Sequence, residues 1–227
     1  MKKLWLFTLL LLSACQSLKY DDLNPTIQPN QNLLPPLETI VDLHNLESTY
    51  SVGTYIGSVN NYGTAYSHNP NMVNWVQATK TTGTQYNDAR VNDTINIFNK
   101  EVRENIMEQY GAKKGFVVLR LGYRGEEGSF IYPLASFLSF GGLNLIGFPK
   151  REVAETLEVE VQIVNNKKEV IGRYVENVNN KDYVAMWWGY NNLSADRKVA
   201  ANNLKDALEK IRHRINQDAS RLKKNLK

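Results

Sequence analysis

Residues 153–164 constrain the fold more than any other part of the chain, because apolar and polar side chains alternate there with a period of two. Leu157, Val159, Val161 and Ile163 share one face, and Glu158, Glu160 and Gln162 share the other. That is the pattern of a strand with one buried and one wet face. Asn165-Asn166-Lys167-Lys168 supplies turn chemistry, and residues 170–175 return as the hairpin partner. A hairpin with one apolar face needs a second layer to cover it.

The cover is written elsewhere in the chain. Val91, Ile95, Phe98, Val102 and Ile106 recur at helical spacing, with Asn92-Asp93-Thr94 as capping residues and Gly111 as the stop. Ala200, Leu204, Ala207, Leu208, Ile211, Ile215 and Leu222 form a longer stripe, with Ser194 as its N-cap and Asp196 in its first turn. Residues 116–123 are apolar enough for a central strand, and residues 50–59 read as a further strand. Leu37 to Val41 begins the folded part as a strand or packed arm, residues 60–88 read as a long polar loop, and residues 179–192 as a polar stretch with an aromatic cluster. The reading is a single α+β domain: a four-stranded, mostly antiparallel sheet with two helices on one face.

The N-terminus carries a different kind of signal. Lys2 and Lys3 precede an apolar run from Leu4 to Leu12, too short to span a bilayer. The run ends Leu12-Ser13-Ala14-Cys15, which resembles the bacterial lipobox: an aliphatic residue, two small residues, then cysteine. The resemblance implies a lipoprotein cleaved ahead of Cys15, with acyl chains (palmitate among them) on that cysteine and a membrane anchor. Cys15 is the one cysteine in the chain, so no disulfide can hold the fold. Residues 1–14 are thus read as a signal peptide, 15–39 as the lipidated cysteine and a flexible Asn- and Pro-rich linker some tens of ångströms long, and 40–227 as the globular domain. Gln16 stands where an enteric-type sorting rule places aspartate for retention in the inner membrane, so the same resemblance implies the outer membrane.

The element order resembles the compact α+β domains of envelope-assembly lipoproteins, of the lipopolysaccharide-assembly and Tol N-terminal-domain type. That likeness covers roughly residues 50–222 as an order of elements only and carries no functional residue with it.

Catalytic chemistry is not expected. The chain has no nucleophile elbow, phosphate loop or dinucleotide fingerprint. His44, His68 and His213 are scattered and without other ligand types at metal spacing, so neither a metal nor a cofactor is expected. A pI near 9.0 does not argue for nucleic acid in an exported protein.

Two segments stand out as contact surfaces. Residues 128–149 contain no charged side chain, yet carry Phe130, Phe137, Leu138, Phe140, Leu143, Ile146 and Phe148. Burial over the protein's own sheet is the expectation, an exposed apolar hairpin the alternative. Pro133 and Gly141-Gly142 argue against a continuous spanning helix. Even so, Phe140 and Leu143, flanking the glycine pair, are the candidate partner contacts. Trp187, Trp188 and Tyr190 form the second candidate, a stacking platform or protein hot spot whose bland alternative is packing. A third surface is the last helix, where residues 195–227 hold ten basic against four acidic side chains. A solvated face suits that charge, and contact with anionic headgroups is the sharper reading.

The function these features imply is that of a membrane-anchored envelope lipoprotein, acting as a non-enzymatic binding or assembly factor for another envelope protein or a glycolipid. The alternatives are a glycan- or peptidoglycan-modifying enzyme and a structural subunit of a lipoprotein secretion complex.

Overall fold

The structure, a computed structural model, describes residues 18–25, 32–50, 89–186, 188–189 and 191–227. Cys15, Trp187, Tyr190 and the expected strand and loop over 51–88 lie outside them. Four strands form one sheet in the order β1 (Glu38–Val41), β2 (Gly115–Glu127), β3 (Arg151–Asn165) and β4 (Val170–Val184). β1 runs parallel to β2, and the other two pairings are antiparallel. The α+β class and the mostly antiparallel sheet stand as read.

The helices are α1 (Leu43–Tyr50), α2 (Ala89–Glu101), α3 (Ile131–Leu138), α4 (Gly142–Leu145) and α5 (Asn192–Asn225). The alternation in β3 behaves as its period requires: Leu157, Val159, Val161 and Ile163 are all fully buried. They meet Val117, Leu119 and Leu121 of β2, the α2 stripe from Val91 to Phe98, and the α5 stripe through Leu204, Leu208, Ile211 and Ile215. One continuous core therefore lies between the sheet and the α2–α5 layer. Gly172 allows the close approach: a Cβ there would stand 3.1 Å from Leu222.

Local chemistry moves several boundaries. Asn191, not Ser194, caps α5, its side chain accepting from the Ser194 N–H at 2.8 Å. Asp93 is no cap, because α2 starts at Ala89; its carboxylate instead takes Nε and Nη2 of Arg197 at 2.8 and 2.9 Å, tying α2 to α5. Gly111 does not stop that helix. A π-turn over Val102–Ile106 ends it, with Met107 N–H reaching Val102 O at 3.0 Å and Met107 already extended. The polar stretch expected from residue 179 is the second half of β4, which runs to Val184. Tyr50, expected to open a strand, ends α1.

The linker reading over residues 15–39 needs the largest correction. Leu34 and Leu37 are fully buried in the main core. Leu34 is locked by its N–H to Ile106 O and its carbonyl to Glu108 N, both 2.8 Å. Further upstream a 3-10 turn, Tyr20–Leu23, sits on the body: Lys205 Nζ donates to Asp22 O at 2.6 Å and Lys100 Nζ to Asn24 Oδ1 at 2.9 Å. Leucines spaced among prolines and asparagines are core anchors here. Among the described residues the folded body begins ahead of residue 40, and Cys15 lies outside them.

Candidate functional site

β2 and β3 are joined not by a hairpin turn but by residues 128–150, which leave the sheet as a helix–turn–helix projection. Pro133 sits in the first turn of α3, where its missing N–H leaves no helical bond unmade. α3 ends in a tight reversal. Phe140 and Gly141 both have left-handed backbones, with φ of 50° and 79°. Such a conformation is free for glycine and strained for phenylalanine. No atom lies within 4 Å of a Cβ built on Gly141 or Gly142, so this reversal is a free tip. α4 returns the chain, and Gly147, at φ 98°, bends it back toward β3.

The polar groups of the projection are turned inward. Ser136 Oγ bonds Tyr132 O at 2.8 Å and Asn144 Oδ1 at 2.9 Å, linking α3 to α4. Ser139 Oγ accepts from the Leu143 N–H at 3.3 Å. The apolar groups are turned outward. Phe140 is 99% exposed, Ile146 81%, Phe137 77%, Phe130 73% and Leu138 68%, with Ile131, Leu145 and Leu134 also exposed. The expectation that this segment packs over its own sheet fails, and the physical reason is visible. The sheet face beneath α2 and α5 is already filled, and α3 contributes no buried residue. Fully burying one such side chain contributes about 1.5–3 kcal/mol. The segment therefore leaves on the order of 10 kcal/mol of burial unrealised in the isolated protein. Exposed patches of this kind mark contact surfaces.

The base of the projection is aromatic. Tyr132 packs against Phe148 and edge-on against Tyr183, both at 5.6 Å between ring centres. Its hydrogen bond with Tyr183, followed by burial and nearby Glu152, pushes the Tyr132 hydroxyl up to about 12. Trp188 is half exposed and donates its indole N–H to Gly147 O at 2.7 Å. Gly189, left-handed at φ 78°, forms a bridge with Val184 that turns Trp188 toward the projection. Trp188 thus braces the return of the excursion. Leu143 is half-buried and Phe140 wholly exposed, so the two residues expected to act together at the tip have different surroundings.

Several charged groups around this base are paired. Arg151 lies 3.4 Å from Asp196, Lys198 lies 3.1 Å from Asp182, and Arg124 reaches buried Glu155 at 3.0 Å and also bonds Glu126. The same holds along α5, where Arg212 pairs with Glu101, Arg214 with Glu176 and Arg221 with Asp218. Much of the basic charge counted in that helix serves internal pairs. The exposure of Phe130, Ile131 and Leu145 was missed in the sequence. The available signal was the placement of Ser136, Ser139 and Asn144, which lets a small two-helix unit satisfy its polar groups without the sheet.

No family model matches the chain, and no curated protein matches it. Among solved structures it is similar to a candidate lipoprotein from Caulobacter crescentus CB15, at 10% identity over 50% of this chain and 72% of that one, with a TM-score of 0.30. A likeness of that size carries no argument about fold or function. The resemblance to envelope-assembly lipoproteins gains nothing from these matches.

Proposed function

We propose that this chain is a lipid-anchored protein of the bacterial envelope, held by acyl groups on Cys15, that works as a non-enzymatic binding or assembly factor through its apolar projection. The observation that carries the reading is the projection: residues 128–149 hold no charge and expose Phe130, Phe137, Leu138, Phe140 and Ile146. Such a surface suits association by burial of apolar area. Leu12-Ser13-Ala14-Cys15 supports the anchor, and Gln16 favours the outer membrane under the enteric sorting rule. Two or more acyl chains would make the attachment stable, since one alone is marginal.

The anchor is tested by phase partition and intact mass. The wild-type protein is expected in the detergent phase, with acyl mass on a chain that begins at Cys15, and Cys15→Ala in the aqueous phase. A soluble wild type with a free thiol would end the reading. The binding role is tested in cells by crosslinking. Phe140→Asp with Leu143→Asp is expected to keep the anchor and lose envelope contacts; unchanged contacts would remove the projection from the function.

A further inference from the structure

We infer that the projection over residues 128–149 is a membrane-inserting element, whose occupant is the acyl-chain region of a lipid bilayer. The inference rests on the lipid-anchor reading for the nearness of that bilayer.

Three observations select lipid over a protein partner. The first is polarity. A protein interface carries a polar rim and about one hydrogen bond per 100–200 Å². The outward face here is Phe130, Ile131, Phe137, Leu138, Phe140 and Ile146, while the Ser136 hydroxyl is turned inward to Tyr132 O and Asn144 Oδ1. That is the arrangement hydrocarbon demands, since an unmade polar bond there is costly. The second is size and zoning. α3 has eight residues, about 12 Å of helix. That is enough to enter one leaflet of a roughly 30 Å core and not to cross it. No helix among the described residues is long and apolar enough to cross a membrane. Behind the apolar tip lie Tyr132, Tyr183 and Trp188, rings with one polar end each, the residues that favour the headgroup level.

The third observation is the length of chain outside the described residues. Leu18 is the first of them, and the turn that follows is docked on α5 through Lys205 and on α2 through Lys100. Two residues, Gln16 and Ser17, separate Cys15 from Leu18, so the three steps between them reach about 10 Å even fully extended. A lipid on Cys15 therefore keeps the body against the bilayer surface. Lys205 lies about 20 Å along α5 from Asn192 at 1.5 Å per residue. It is that N-terminal end of α5 that adjoins the projection, where Ala195 and Val199 pack on Val153 and Val184. The docked turn and the projection thus both lie toward the N-terminal half of α5, so a lipid reached through that turn would bring the projection to the same membrane.

The test uses the chain from residue 15 with Cys15→Ser, which carries no acyl group and no other cysteine. Phe140→Cys and, separately, Lys224→Cys are labelled with an environment-sensitive dye. The probes are vesicles of phosphatidylcholine and of phosphatidylcholine with one quarter phosphatidylglycerol. Expected are flotation with both vesicles, a several-fold rise in emission at position 140 that brominated acyl chains quench, and no change at position 224. Phe137→Asp with Phe140→Asp should cut flotation at least tenfold while leaving the thermal melt in place, and Phe137→Leu with Phe140→Leu should keep it. No flotation of the unacylated chain, or equal responses at positions 140 and 224, overturns the inference. So does protein capture by a photoreactive group at position 140 in place of lipid. Detergent partition of the wild-type protein is scored separately, so the anchor can stand when insertion fails.

Discussion

Arg212 and Glu101 meet 3.0 Å apart in the seam between α2 and α5, and each side chain is only 3% exposed. Asn105 adds a bond from Nδ2 to Glu101 Oε2 at 2.6 Å. Breaking a buried pair strands the remaining charge, which costs about 3–5 kcal/mol. Arg212→Met should lose about that much in urea unfolding at pH 7. Glu101→Leu combined with Arg212→Met should recover most of it, because an apolar pair of similar volume needs no solvation.

The same seam has a pH signature. Burial pushes the Glu101 carboxyl above 4.5, opposed by the Asn105 bond and by Arg212. The folded state then binds its proton more tightly than the unfolded chain. The stability this adds is complete below 4.5 and is lost as pH rises through the raised value. Without Arg212 the carboxyl rises further, so the loss in Arg212→Met should be small at pH 4.5 and grow toward pH 7. A loss independent of pH, measured by urea titration across that range, would contradict the assignment.

Two glycines of β2 separate backbone crowding from side-chain crowding. A Cβ on Gly115 would stand 2.1 Å from Val164 O, a backbone atom of the neighbouring strand. A Cβ on Gly122 would meet Glu158 Oε1 at the same distance, but that is the free end of a flexible side chain. Gly115→Ala is expected to cost about 1–3 kcal/mol, and Gly122→Ala less than about 1 kcal/mol. Paired thermal melts check the order.

What could be read in the sequence follows from how local each signal is. The β3 alternation and the α5 stripe are periodic over many residues, and Leu157 to Ile163 and Leu204 to Ile215 are buried as that periodicity requires. Leu34 and Leu37 sit singly among prolines, so nothing periodic reveals that they enter the core. Residues 128–149 are apolar in every direction, and composition alone does not say whether such a segment is covered. That depends on whether the sheet face is already taken, a tertiary fact. Of the candidate contacts, Phe140 is exposed at a free tip and Trp188 is a brace.

The exposure of the projection reverses an expected stability effect. Were Leu138 buried, an arginine there would cost several kcal/mol. At 68% exposed, Leu138→Arg should shift unfolding by less than about 0.5 kcal/mol. Phe140→Gly should stabilise the fold by up to about 1 kcal/mol, because glycine relieves the φ of 50°. Both changes should weaken flotation with vesicles, so stability and membrane association move independently or in opposite directions.

The basic C-terminus of α5 supplies the last prediction. Lys223, Lys224 and Lys227 invite contact with anionic headgroups, and a membrane-bound helix often uses such charge. The fold places them at the wrong end. Ala195 packs beside Val153 and Val184 at the base of the projection, and Lys223 lies about 40 Å further along the same helix. Screening reduces a charge's effect beyond about 10 Å at 0.1 M salt. Nearer the base, Lys198 and Arg151 are committed to Asp182 and Asp196. Association driven by Phe137 and Phe140 should therefore be apolar in character. The triple change of Lys223, Lys224 and Lys227 to Glu should leave flotation with phosphatidylcholine vesicles within about twofold at 0.1 M salt, as expected for charges several screening lengths away. Raising the salt to 0.5 M should also leave it in place. A loss of binding on charge reversal, matched by a steep fall with salt, would show that α5 rather than the projection faces the membrane.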